Sequence, residues 1–156
     1  DLDGDGDDDL LVANGDTLDD DVPKPFHGVR WLENLGGFTF ELRETILNLP
    51  GCERATAADV DGDGDLDVVA AAFLPQLPPQ EWSQYDSLVW VEQTAAGWQP
   101  HLIERGNPVH SSIVVTDVDG DDHNDIVVGN YVWLAEGGKT IARRDYLTVF
   151  FARQNP

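Results

Sequence analysis

The chain has 156 residues, and its 41% hydrophobic and 25% charged content is ordinary for a folded domain, which excludes disorder as the default. A formal net charge of -21, from 30 acidic against 9 basic residues, excludes nucleic acid and anionic membrane surfaces as partners, because little here could neutralise a polyanion. Cys52 is the only cysteine, so an internal disulfide and thiolate metal sites are excluded, and no run approaches the ~18 apolar residues of a membrane-inserted span.

The chain opens on Asp1-Leu-Asp-Gly-Asp-Gly-Asp-Asp-Asp9, which runs into the apolar stretch Leu10-Leu-Val-Ala13. Beyond a polar segment come Gly28-Val-Arg-Trp-Leu-Glu33 and, past a glycine turn, Phe38-Thr-Phe-Glu-Leu-Arg43. Short β-branched and aromatic runs bounded by Gly, Asn and Pro read as strands. The pattern returns as Arg54–Ala58, the loop Asp59-Val-Asp-Gly-Asp-Gly-Asp-Leu-Asp67, Val68–Phe73, Ser87–Glu92 and Trp98–Ile103. It returns again as Ser111–Thr116, Asp117-Val-Asp-Gly-Asp-Asp-His-Asn-Asp125, Ile126–Gly129, Tyr131–Glu136 with Trp133, and more faintly Thr140–Arg144. The loops begin at residues 1, 59 and 117, a period of 58 residues.

Four strands per unit, with an acidic loop between the first and second, describe an all-β protein made of four-stranded antiparallel propeller blades. Strands apolar on both faces fit blades packed between neighbours. The repeats start near residues 1, 54 and 111, the first lacks its opening strand, and residues 1–156 form one segment holding about three blades of a larger ring. The remaining blades are expected in the same polypeptide or in a partner copy. Since Asp1 already stands inside a loop, further chain is expected upstream.

Of 22 aspartates, 16 lie in the three loops, so the charge belongs to sites. Carboxylates at loop positions 1, 3, 5 and 9 make candidate ligands of Asp1, Asp3, Asp5 and Asp9, of Asp59, Asp61, Asp63 and Asp67, and of Asp117, Asp119, Asp121 and Asp125. By analogy with calcium loops, the backbone carbonyl at position 7 adds Asp7, Asp65 and His123. An all-oxygen set on a flexible loop suits Ca²⁺ at about three sites, whereas Mg²⁺ wants a tighter octahedron with retained waters. Position 12 is Val12, Ala70 or Val128, where an EF-hand needs Glu. In the third loop Asp122 replaces a glycine and is expected to take a left-handed backbone.

The loops and their flanks resemble FG-GAP and VCBS repeats, as in the propeller of integrin α chains and in many secreted bacterial proteins. Residues 24–34 and Leu49-Pro-Gly51 further resemble large bacterial VCBS proteins. The resemblance implies structural calcium and a secreted, extracellular, cell-surface or periplasmic setting. The family it resembles spans adhesion, sugar binding and polysaccharide-degrading enzymes. Because carboxylates outside the loops are few and no acid/base constellation stands within one repeat, protein or glycan binding and not catalysis is expected, with a carbohydrate-active enzyme's propeller, such as a polysaccharide lyase's, or a pure spacer as alternatives.

A binding face is expected at the blade ends opposite the metal loops. The first two repeats place about 30 residues between loop start and strand-three Trp (1 to 31, 59 to 90), the third only 16 (117 to 133), so the insertions are read in the first two. Candidate ligand-binding residues there are Asp16, Lys24, His27, Trp82, Tyr85 and His110, and Asp16 with residues 19–21 could hold another cation. Trp31, Trp90 and Trp133 read as core, and Cys52 as a small buried hydrophobe.

Overall fold

The computed structural model describes residues 1–15, 22–131 and 145–152. Among them the architecture is all-β, with one short 3-10 turn at Trp82–Gln84. The strands run β1 (Leu10–Ala13), β2 (Gly28–Asn34), β3 (Phe40–Asn48), β4 (Cys52–Ala58), β5 (Asp67–Ala72), β6 (Asp86–Thr94), β7 (Gly97–Arg105), β8 (His110–Thr116), β9 (Asp125–Asn130) and β10 (Leu147–Phe150). They form three antiparallel sheets of order β1-β2-β3, β4-β5-β6-β7 and β8-β9-β10, which are propeller blades.

The middle blade shows why its strands lack a polar face. All six residues of β5 are buried. Val68, Ala70 and Ala72 point into a core shared with Val29, Trp31, Ile46 and Leu49 of the first blade. Val69 and Ala71 point the other way, into a core with Ile126 and Val128 of the third. Alternation of side chains along a strand thus feeds two interfaces at once. Strand β4 lies against β1 on one side and β8 on the other, which places it at the inner rim. Farther out, Trp98 of β7 meets Trp31 edge-on at 6.5 Å.

The third blade corrects the sequence reading. The strand hydrogen-bonded to β9 is Leu147–Phe150, with Phe150 opposite Ile126, where Val91 stands opposite Val68 and Leu32 opposite Leu10. Val149 is therefore the counterpart of Trp31 and Trp90. It lies 32 residues after its loop start (117 to 149), against 30 and 31 in the other blades (1 to 31, 59 to 90). The third blade carries an insertion as long as the others. Tyr131-Val-Trp-Leu imitates the Trp-bearing strand, but the alternating Leu147-Thr-Val-Phe150 holds the register; Trp133 and residues 140–144 lie outside the described residues.

Candidate metal centre

All three acidic loops emerge at one end of the blades, before β1, between β4 and β5, and between β8 and β9. Each winds around its own carboxylates. Asp59 accepts backbone N–H from Gly62 at 2.7 Å and Gly64 at 3.2 Å, Asp117 from Gly120 at 2.7 Å and Asp122 at 3.0 Å, and Asp1 from Gly6 at 3.1 Å. The position-5 carboxylates accept the position-7 N–H: Asp5 from Asp7 and Asp63 from Asp65, both at 2.9 Å, and Asp121 from His123 at 3.0 Å.

Such a path needs left-handed backbone at positions 4 and 6. Gly4, Gly62 and Gly120 supply φ of 76°, 82° and 83°, and Gly6 and Gly64 supply 98° and 99°. Asp122 takes φ 67° at the remaining place, as its position in the repeat required. A side chain in that region is strained by roughly 1 kcal/mol. Asp122→Gly is therefore expected to raise the unfolding free energy by about 1 kcal/mol in denaturant titration. A fall in calcium affinity of the third loop in the same variant would instead make the Asp122 carboxylate a ligand.

The winding brings carboxylates together. One oxygen each from Asp1, Asp3 and Asp5, from Asp59, Asp61 and Asp63, and from Asp117, Asp119 and Asp125 lies within 4.8 Å of the other two in its group. Burial, followed by the charges of Asp67, Asp63 and Glu92, pushes the Asp61 carboxyl above its usual range. Asp119 is pushed up in the same way, by loss of solvent and then by Asp121, Asp125 and Asp117. Asp117 is held below it, chiefly by the Gly120 N–H. Hard oxygen donors converging with their charges uncompensated fit a divalent cation such as Ca²⁺. The position-1, -3 and -5 residues would hold it in the first two loops, and Asp117, Asp119 and Asp125 in the third.

Position 9 has a second task that the spacing alone does not convey. Asp67 and Asp125 are buried, each 1% exposed, and each divides its two oxygens between the loop and the third strand. Asp67 accepts from Val60 at 3.1 Å and Gln93 at 2.8 Å; Asp125 accepts from Val118 at 3.0 Å and Ala152 at 2.8 Å. Asp9 does likewise with Leu2 at 3.0 Å and Asn34 at 2.8 Å. Burial would raise the Asp9 carboxyl, but the Asn34 and Leu2 N–H groups outweigh it and hold the carboxyl below its ordinary value. This residue staples the loop to the blade. The clue in the sequence is its place immediately before an apolar strand.

A family model described as FG-GAP-like repeat matches residues 1–70, and one described as FG-GAP repeat matches residues 111–140. The chain belongs to the FG-GAP repeat family. FG-GAP repeats are β-propeller blades, generally non-catalytic binding or structural modules, and the matches indicate no enzyme family. The first FG-GAP match takes in the first two acidic loops and the second takes in the third. No curated protein and no solved structure matches the chain.

At the opposite end of these FG-GAP blades the candidate ligand residues separate into two groups. Lys24 and the exposed Phe26 line a cavity of about 450 Å³ with Asn14 and Glu53. Trp82 and Tyr85 are half-buried, and the Trp82 indole N–H donates to the Leu77 carbonyl at 3.0 Å. His27 also lines the cavity beside Lys24 although only 2% exposed, whereas His110 is 0% exposed and does not line it. His27 accepts the Gly51 N–H at 3.3 Å, and His110 bridges Glu104 at 2.6 Å and Asn130 at 2.7 Å. Both fasten the β3–β4 and β7–β8 connections. Cys52 is fully buried, its thiol pushed up to about 12 by burial, so it packs and does not react. Asp16 and residues 19–21 lie outside the described residues.

Proposed function

We propose that this chain is a calcium-stabilised propeller module that works outside the cytoplasm and offers its insertion face to a protein or glycan. The observation that carries the calcium reading is the repeated convergence of three carboxylate oxygens within 4.8 Å in each loop, at one end of neighbouring blades. Besides these side chains, the ligands in this reading are the position-7 carbonyls of Asp7, Asp65 and His123 and the position-9 carboxylates. When bound, the ion cancels the repulsion within each loop and rigidifies it. Calorimetric titration of the chelator-treated chain with CaCl₂ tests this: about three sites are expected, reduced to two by Asp61→Ala with Asp63→Ala. No heat of binding would end the reading.

The partner reading draws on position. The connections β1–β2, β5–β6 and β9–β10 are long, and their described ends leave the blades away from the metal loops. Long loops on a rigid scaffold commonly carry recognition. Trp82 and Tyr85 supply half-buried aromatic surface of the kind that stacks on sugar rings or anchors a protein contact. Alanine at either is expected to weaken binding by more than about 1 kcal/mol in glycan-array or pull-down measurements, while leaving calcium binding unchanged. Full binding by both variants would favour a spacer, a role in keeping with the indole N–H already held by Leu77.

A further inference from the structure

We propose that the three metal loops are coupled, so that filling one raises the calcium affinity of its neighbour, and that Gln93 and Asn124 transmit the coupling; this rests on the calcium reading above. Both side chains cross a blade interface and end on a loop carbonyl. Gln93 Nε2 donates to the Leu2 carbonyl at 3.1 Å, across 91 residues of sequence. Asn124 Nδ2 donates to the Asp59 carbonyl at 2.7 Å, across 65 residues.

The position-9 staples make these contacts continuous. Asp9 accepts from Leu2, whose carbonyl takes the Gln93 amide, and the backbone N–H of Gln93 donates to Asp67. The other Asp67 oxygen holds Val60, next to Asp59, and the Asp59 carbonyl takes Asn124, which adjoins Asp125. An unbroken hydrogen-bonded path therefore joins all three loops, and each crossing is made by one side chain. Neither is a general feature of the repeat. Position 8 is Asp8 in the first loop and Leu66 in the second, and the counterparts of Gln93 are Asn34, whose amide stays in its own blade on the Asp8 carbonyl at 2.9 Å, and Ala152.

An ion that fixes one loop fixes the carbonyl that the next blade's amide holds. The neighbouring loop is then partly ordered before its own ion arrives, and less conformational entropy is lost on binding. Coupling of this kind is reciprocal. Simple charge neutralisation between loops would act in the same direction, but it fades with salt, whereas hydrogen-bonded ordering persists.

The test is calcium titration of the full chain, wild type against Asn124→Leu and Gln93→Leu, in low and high KCl, with circular dichroism confirming the fold. Asn124→Leu installs the residue type that the second loop carries at the same position. Wild type is expected to show a Hill coefficient above 1, and each variant to keep three sites while one of them weakens about fivefold, the lower end of typical site coupling. Asn124→Gln and Gln93→Asn, which keep the amide but shift its reach, should fall between. Variants titrating like wild type, or a Hill coefficient above 1 that vanishes in KCl, would overturn the proposal while leaving the calcium reading intact. Absence of calcium binding in wild type would overturn both.

Discussion

Asp67→Ala is expected to destabilise the chain by roughly 3–5 kcal/mol, the largest effect of any single loop substitution. The side chain is 1% exposed and is the acceptor for Val60 N–H at 3.1 Å and Gln93 N–H at 2.8 Å. Alanine leaves both donors unpaired at a partly buried site, at about 1–3 kcal/mol each, and opens a cavity as well. In a chain of this size the melting temperature should fall by about 10 °C. Asp67→Asn keeps one acceptor and turns an NH₂ toward the other N–H, so an intermediate loss is expected. Asp63→Ala, in an exposed stretch, removes a charge from a repelling group and should lose far less in calcium-free buffer. Denaturant unfolding of the three variants with and without calcium separates stapling from ligation. Equal losses for Asp67→Ala and Asp63→Ala in chelator would remove the staple.

Calcium itself should produce a shift of similar size. Each loop holds three carboxylates whose nearest oxygens lie within 4.8 Å. Even at the dielectric constant of water, two charges so close repel by nearly 1 kcal/mol, and more where solvent is reduced. Asp61 and Asp119 register this in carboxyls pushed above the ordinary range by burial and by their neighbours. A carboxyl raised in the folded state favours folding below its unfolded value and loses that contribution as pH rises through the folded one. In chelator these two groups therefore oppose the fold at neutral pH and stop doing so in acid. An ion at tenfold its dissociation constant stabilises by roughly 1.4 kcal/mol per site, or about 4 kcal/mol over three sites. Scanning calorimetry should show a melting temperature about 10 °C higher in millimolar CaCl₂ than in chelator, with the gap closing as pH falls. Coincident curves at neutral pH would contradict structural calcium.

The strands and loops were legible because their signals are local. Val68–Phe73, Ser87–Glu92 and Trp98–Ile103 mark β5, β6 and β7 to within a few residues, and the glycines of each loop announce its turns. What escaped depends on contacts distant in sequence. Leu147–Phe150 is as plausible a strand as residues 131–136, and only pairing with Ile126–Gly129 decides between them. His27 stands in a connection that normally faces solvent and His110 at the first position of β8, and their burial follows from the Gly51 N–H and the Glu104 and Asn130 side chains that receive them. Position 9 reads only as one more ligand, and its second task, as a staple, appears once Gln93 and Ala152 are seen to fold back onto it from the end of the third strand.

The buried face of β5 also sets a shape. Toward the first blade it presents Ala70 and Ala72 beside the inner-rim strand, while Trp31 of β2 and Trp98 of β7 fill the same interface farther out. Thin side chains inside and thick ones outside make a wedge. The taper of that wedge is the rotation from one blade to the next. A methyl group added at Ala70 would widen the narrow end and reduce the rotation, and because every repeat compounds its neighbour's angle, a ring would feel the error once per blade.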